Sequence, residues 1–248
     1  MQRVLYYRTF IKFWLLLLTT LVMSSVQAAP PHTHEITYNA RYDNFEAEAS
    51  RYLRYDAKSS LYQLQTAISL DLLGQTITSL VETSQVQWID DHPVPLLYEY
   101  RQEGLNTRSR SVKFDHQADT ASFAVDDKKG TLALNGPVYD DLSSYLAIRE
   151  QLNAGNTDIM FEVVDKDAIK TYHYQVDDEA LVTTPLGKFT AVKLVRIRDD
   201  NPKRKTQIWL AKDYDYILVK LLQEEPDGHT IRLDITKAVF NGVALNPN

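Results

Sequence analysis

The stretch Tyr62-Gln63-Leu64-Gln65-Thr66-Ala67-Ile68-Ser69-Leu70 reads with a period of two. Successive side chains of an extended chain point to opposite faces, so Tyr62, Leu64, Thr66, Ile68 and Leu70 share one side. Gln63, Gln65, Ala67 and Ser69 share the other. This is the pattern of an antiparallel strand with one buried face. It recurs where Val94, Leu96, Tyr98 and Tyr100 alternate with Leu97, Glu99 and Arg101. It recurs again where Ile231, Leu233, Ile235 and Val239 alternate with Arg232, Asp234 and Thr236.

Working outward, short polar clusters such as Asp90-Asp91-His92-Pro93, Asp126-Asp127-Lys128-Lys129-Gly130 and Pro226-Asp227-Gly228 punctuate these segments. The chain has only eight glycines, and aspartate, which tolerates positive φ, is expected to take their place in turns. Long strands joined by short turns form a meander, and a wide meander must curl to cover its apolar face. The expected fold is mainly β: a long-stranded antiparallel meander curled into a partly open barrel or half-barrel. From Thr76 to Ile89 the apolar residues fall in both phases, which predicts a β-bulge near Thr83-Ser84.

One segment changes period. Between Asp140 and Gly155, Leu142, Tyr145, Leu146, Arg149 and Leu152 recur at helical spacing. An aspartate at the start can accept from exposed amides, and Asn153-Ala154-Gly155 supplies a stop. The spacing predicts one amphipathic helix over about 140–154, splitting the strands into a set of about eight and a set of about six. Leu142, Tyr145, Leu146 and Leu152 should pack on the sheet as a lid or plug, with Ser143, Glu150 and Gln151 facing water.

The first residues give an address. Arg3, Arg8 and Lys12 precede the apolar run Phe13–Val26 and the small residues Val26 and Ala28, the layout of a cleaved secretory signal peptide over residues 1–28. The run is shorter than the roughly 20 residues that span a bilayer, so the mature protein is expected to be periplasmic, not membrane-spanning. Residues 29–34 are expected to form a flexible start, 35–243 a single β-rich domain, and 244–248 a tail. The full chain of 248 residues carries 27 Lys+Arg against 33 Asp+Glu. Without the leader the balance is 24 against 33, a net charge of −9, which argues against nucleic acid as a partner. The absence of cysteine removes disulfides, thiolate metal sites and thiol nucleophiles.

No catalytic pattern is recognisable. The histidines include no metalloprotease pair, and His32 with His34 makes two potential ligands without a third. No serine sits in a nucleophile elbow, and Ser143-Ser144 falls in the first turn of the helix. Carboxylates cluster at turns, with no pair marked for glycoside chemistry. No cofactor or metal is expected. Aromatics are more suggestive: Tyr62, Tyr98, Tyr100, Tyr172, Tyr174, Trp88 and Trp209 lie on strands, where an apolar ring with a polar tip suits a cavity wall as well as a core. Arg196, Arg198, Lys203, Arg204 and Lys205 would gather at one hairpin end, either as a solvated turn or as a patch for anionic lipid, lipopolysaccharide or an acidic envelope partner.

Four ordered motifs carry a resemblance: Tyr38–Tyr42 (YNARY), Asp141–Tyr145 (DLSSY), Thr184–Lys193 (TPLGKFTAVK) and Gln207–Asp213 (QIWLAKD). Together they resemble the exported bacterial family called domain of unknown function 3108, across most of residues 35–243. The resemblance implies a β-rich periplasmic protein and supplies no catalytic residues. Three functions are open at this point. The first is a non-enzymatic binding or chaperone-like module holding a lipid, a glycan or a client segment on the concave face. The second is an assembly partner that offers a sheet edge or the helix face to an envelope complex. The third is a polysaccharide-active hydrolase.

Overall fold

The computed structural model describes residues 29–72, 75–104, 106–198 and 201–247; residues 1–28, expected to be a signal peptide, lie outside them. Eight strands come first: β1 (His34–Tyr42), β2 (Phe45–Asp56), β3 (Leu61–Leu72), β4 (Gln75–Ile89), β5 (His92–Gly104), β6 (Arg108–Asp115), β7 (Thr120–Val125) and β8 (Lys128–Ala133). A two-residue strand β9 (Val138–Tyr139) leads into helix α1 (Ser144–Asn153). Then follow β10 (Asp158–Asp165), β11 (Ala168–Thr183), β12 (Lys188–Ile197), β13 (Lys205–Ala211), β14 (Ile217–Glu224), β15 (Thr230–Phe240) and β16 (Val243–Ala244).

All belong to one sheet, ordered β8-β7-β6-β5-β4-β3-β2-β1-β15-β14-β13-β12-β11-β10-β9, with β16 beside β15. Each neighbouring pair is antiparallel except β9 with β10. The meander therefore grows in two arms from the β1–β15 pairing, and the sheet curves without closing into a barrel. An ion pair between Lys128, on edge strand β8, and Asp167, in the β10–β11 turn, ties the two arms across the opening.

Aspartate fills the turns as expected: Asp43, Asp90, Asp91, Asp119, Asp126 and Asp215 all have positive φ. The expected bulge near Thr83-Ser84 is displaced. Register shifts between Gln85 and Val86, where the pairing skips from Leu97 to Pro95, so Leu96 of β5 is the extra residue. Strand β4 keeps one phase, and its off-phase apolar residues Val81 and Ile89 are simply exposed. The bulge moves the inward set of β5 from Pro93 and Pro95 to Tyr98 and Tyr100, correcting the simple Val94–Leu96–Tyr98 alternation.

The helix sits inside the curled sheet. Leu142, Tyr145 and Leu146 join a cluster with Leu53, Leu64, Val86, Val112 and Phe123 of the first arm. Ala147, Ile148 and Leu152 join Ile159, Leu194, Leu210, Ile217 and Ile235 of the second. The expected stripe is buried, Arg149 within it at 2% exposed, but so is the opposite side: Ser143 is 0% and Ala147 3% exposed. Ser143, expected to face water, is thus corrected. A helix between two arms has no solvent face along most of its length, and only Glu150, Gln151 and Asn153 reach outward.

Polar groups taken inside must find partners. Asp140 Oδ1 accepts from the amides of Leu142 and Ser143, at 2.9 and 2.8 Å, and Oδ2 accepts from Ser84 Oγ at 2.7 Å. This fixes the start of α1 to β4. Arg149 Nε donates to Asp215 Oδ1 at 2.6 Å, and the guanidinium lies over Trp88. Residues 29–34, expected to be flexible, are tied to the same place: the His32 amide donates to Asp215 Oδ2, and Arg149 Nη2 donates to the Pro30 carbonyl.

Truncating a fully buried leucine commonly costs about 2–5 kcal/mol through the cavity it leaves. Leu146→Ala should therefore lower the melting temperature by several degrees, whereas Gln151→Ala should change it little. Thermal unfolding followed by circular dichroism checks this; equal, small shifts would show that α1 is not interior.

Candidate functional site

The concave face is not filled everywhere. Beside the start of α1, residues of β5–β7, β10–β12, β14 and adjoining turns line an open polar cavity of about 680 Å³. One wall is built in register, with Tyr100 opposite Arg110 and Arg110 opposite Val125. Arg108 lies two residues back on the same strand, hence on the same face. The facing wall carries Tyr172 on β11, then Arg196 at the end of β12 and Arg198 just beyond it. Arg204 enters from the β12–β13 hairpin and Gln223 from β14.

Among the described lining residues, seven cations face three carboxylates. Three cations have anionic partners: Arg110 with Asp141 at 3.3 Å, Lys170 with Asp165 at 2.8 Å and Arg204 with Glu225 at 3.0 Å. Arg108, Lys166, Arg196 and Arg198 make no ion pair among the described residues. Instead Arg196 stacks on Tyr172, its guanidinium carbon 3.4 Å from the ring centroid, and its buried Nε has no hydrogen-bond partner. Arg110 stacks on Tyr100 at 4.1 Å. Guanidinium groups tolerate this flat packing because they are planar and weakly hydrated.

The electrostatics follow from crowding and burial. Burial, with the neighbouring charges of Arg196 and Arg204, pulls the Arg198 pKa down to about 10. Asp141, at the entry to α1, accepts from the Tyr172 hydroxyl at 3.0 Å as well as from Arg110. Burial raises its pKa all the same. Glu82, on the inward phase of β4 opposite Tyr100, is pushed up to about 7, first by burial and then by the charge of Asp141.

The residues singled out from sequence are divided by the structure. Tyr100 and Tyr172 line the cavity, with Arg196, Arg198 and Arg204. Tyr174 is buried behind Arg196, and Tyr98 is core, 2% exposed. Tyr62 packs against Tyr55 and Trp88, away from the lining. Trp209 lies on the other face of the sheet, between Lys193 and Lys220. Lys203 and Lys205 are outside the lining; Lys205 pairs with Glu224. His34 is buried beside Tyr145 while His32 faces Asp215, so the two do not converge on a common point. Sequence reasoning missed Arg108, Arg110, Lys166, Lys170 and Asp141. The available signal was phase: Arg110 shares the parity of Val112 and Phe114, which are buried.

A family model now places this arrangement, matching residues 37–236 under the description "Protein of unknown function (DUF3108)". The chain belongs to the DUF3108 family. A search of curated proteins gives no match. Among solved structures, this DUF3108 chain is similar to a beta-barrel-like protein of domain of unknown function DUF1849 from Brucella abortus. The TM-score is 0.57 at 11% identity, covering 86% of this chain and 99% of that one, a likeness of fold. A porin-like protein from Bacteroides uniformis aligns at TM-score 0.32 and 10% identity, over 84% of this chain and 98% of that one. No described helix is long and apolar enough to cross a membrane.

Glu82 generates a pH prediction. Its pKa is raised on folding, so the folded state holds the proton more tightly than the unfolded state does. The stability it contributes is full below about pH 4.5 and is lost as pH rises through about 7. Asp140, pushed up to about 6 by burial, acts in the same direction. Glu82→Gln should therefore raise the melting temperature at about pH 8 and flatten its decline from about pH 5 upward. Parallel wild-type and variant curves would contradict the assignment.

Proposed function

We propose that this protein is an exported, non-enzymatic binding module that holds the anionic part of its ligand in the arginine-lined cavity. The observation that carries the reading is the inversion of charge: an acidic chain gathers a cationic surplus inside. Clustered cations repel one another, so such a surplus is a cost to the fold that an incoming anion would relieve. Arginine forks match carboxylate and phosphate geometry, and a volume near 680 Å³ is ordinary for a small-ligand site. Two apolar clusters and the helix occupy much of the concave face. That favours the charged portion of a lipid, glycan or client over an acyl chain. The leader-like start supports a periplasmic address.

The open sheet gives a second reading its own support. Among the described residues, edge strand β8 pairs only with β7, which leaves one side able to receive a strand from an envelope partner.

Native mass spectrometry of periplasm-purified protein tests the binding reading. An acidic, non-covalent adduct is expected on the wild type and should be lost from the Arg196→Ala/Arg198→Ala double variant. A consistently adduct-free wild type, or an adduct retained in full by the variant, would overturn it.

A further inference from the structure

We infer that the cavity takes a small polyhydroxylated molecule bearing two anionic groups, phosphate or carboxylate, one for each arginine wall. The inference rests on the anion-binding reading above and adds the number and placement of charges. Strands β6 and β12 belong to opposite arms and are separated by eight strands in the sheet order. Curling alone brings them to one cavity. On the first wall Arg108 and Arg110 are alternate residues, about 6.5–7 Å apart along the strand. On the second, Arg196 and Arg198 are likewise two residues apart in sequence, with Arg204 also in the lining.

The protein already shows how one anion is accommodated between the walls. Asp141 takes the Arg110 guanidinium from one side and the Tyr172 hydroxyl from the other, and Tyr172 carries Arg196 on its ring. That single carboxylate answers Arg110 and leaves Arg108 on one wall, and Arg196 and Arg198 on the other, without carboxylate partners among the described residues. Two centres of positive charge therefore face the same space from two sides. Asp141 touches both walls yet ion-pairs with Arg110 alone, so one such anion leaves the arginines of the second wall unpaired; a ligand with two separated anionic groups can pair with both walls. Tyr100 on the first wall, and Asn201 and Gln223 with the second, add polar groups to the lining. The Tyr100 hydroxyl donates to Gln102 and the Gln223 Nε2 to Glu225, which leaves their oxygens as acceptors suited to hydroxyl groups rather than a hydrocarbon.

Isothermal titration of the full mature protein with fructose 1,6-bisphosphate and fructose 6-phosphate tests this. The two probes share a sugar and differ by one phosphate. The bisphosphate should bind at least about tenfold more tightly at about 0.15 M salt, where non-specific attraction is screened. Arg108→Ala, from one wall, and Arg198→Ala, from the other, should each bring the bisphosphate close to the monophosphate affinity. Circular dichroism confirms that each variant is folded. Equal affinity for the two probes, or a bisphosphate preference untouched by either variant, would overturn the two-wall assignment while anion binding stood. Binding of neither probe would overturn both.

Discussion

A curled sheet of long strands must fill its own concavity, and here one ten-residue helix does much of that filling. Its first turn and the residues from Ala147 onward join different clusters, the one built mostly on the first arm of the meander and the other mostly on the second. Burial on all sides demands that every polar group carried inward be answered. The start of α1 is answered by Asp140 and Ser84, and the far part by Arg149 with Asp215. Those contacts also set the arms relative to each other: Ser84 belongs to β4, whereas Asp215 stands in the turn before β14.

The cavity is a consequence of the same placement. Helix α1 fills the middle of the concave face and leaves space beside its first turn. There the inward phase of β6 and the end of β12 change from aliphatic residues to arginine. Asp141 occupies the join, adjacent in sequence to the Asp140 anchor and in contact with both cavity walls. Core and cavity thus meet at two successive aspartates. One is fully engaged in local hydrogen bonding, and the other balances charge.

Much of the fold was legible in one dimension because period two and aspartate-rich turns are local properties. The helix stripe was legible for the same reason. The other side of the helix was not. Ser143 looks like a solvent-facing residue until a second arm of sheet is placed over it. Cavity residues were legible only in part. Arg196, Arg198 and Arg204 stood out as a run, yet Lys203 and Lys205 belonged to the same run and point elsewhere. Arg108 and Arg110 were hidden by being only two charges in a strand. Trp209 was misleading, since an aromatic on a strand reads the same on either face. Two of the family motifs carry structural contacts: Tyr38 donates to the Leu218 carbonyl at 2.9 Å. Gly187, at φ +150°, lies so close to Pro247 that a Cβ would come within 2.1 Å of its carbonyl oxygen.

The central claim is that α1 is an interior element enclosed by both arms. Hydrogen exchange of its backbone amides, followed by mass spectrometry on the chain from residue 29 onward, measures that most directly. Amides of interior elements open only with much of the structure. The account predicts protection across residues 146–153 comparable to that of the central strands β1 and β14. Exchange at the rate of the hairpin tips, with β1 and β14 still protected, would show that the helix opens independently of the sheet and would contradict the account.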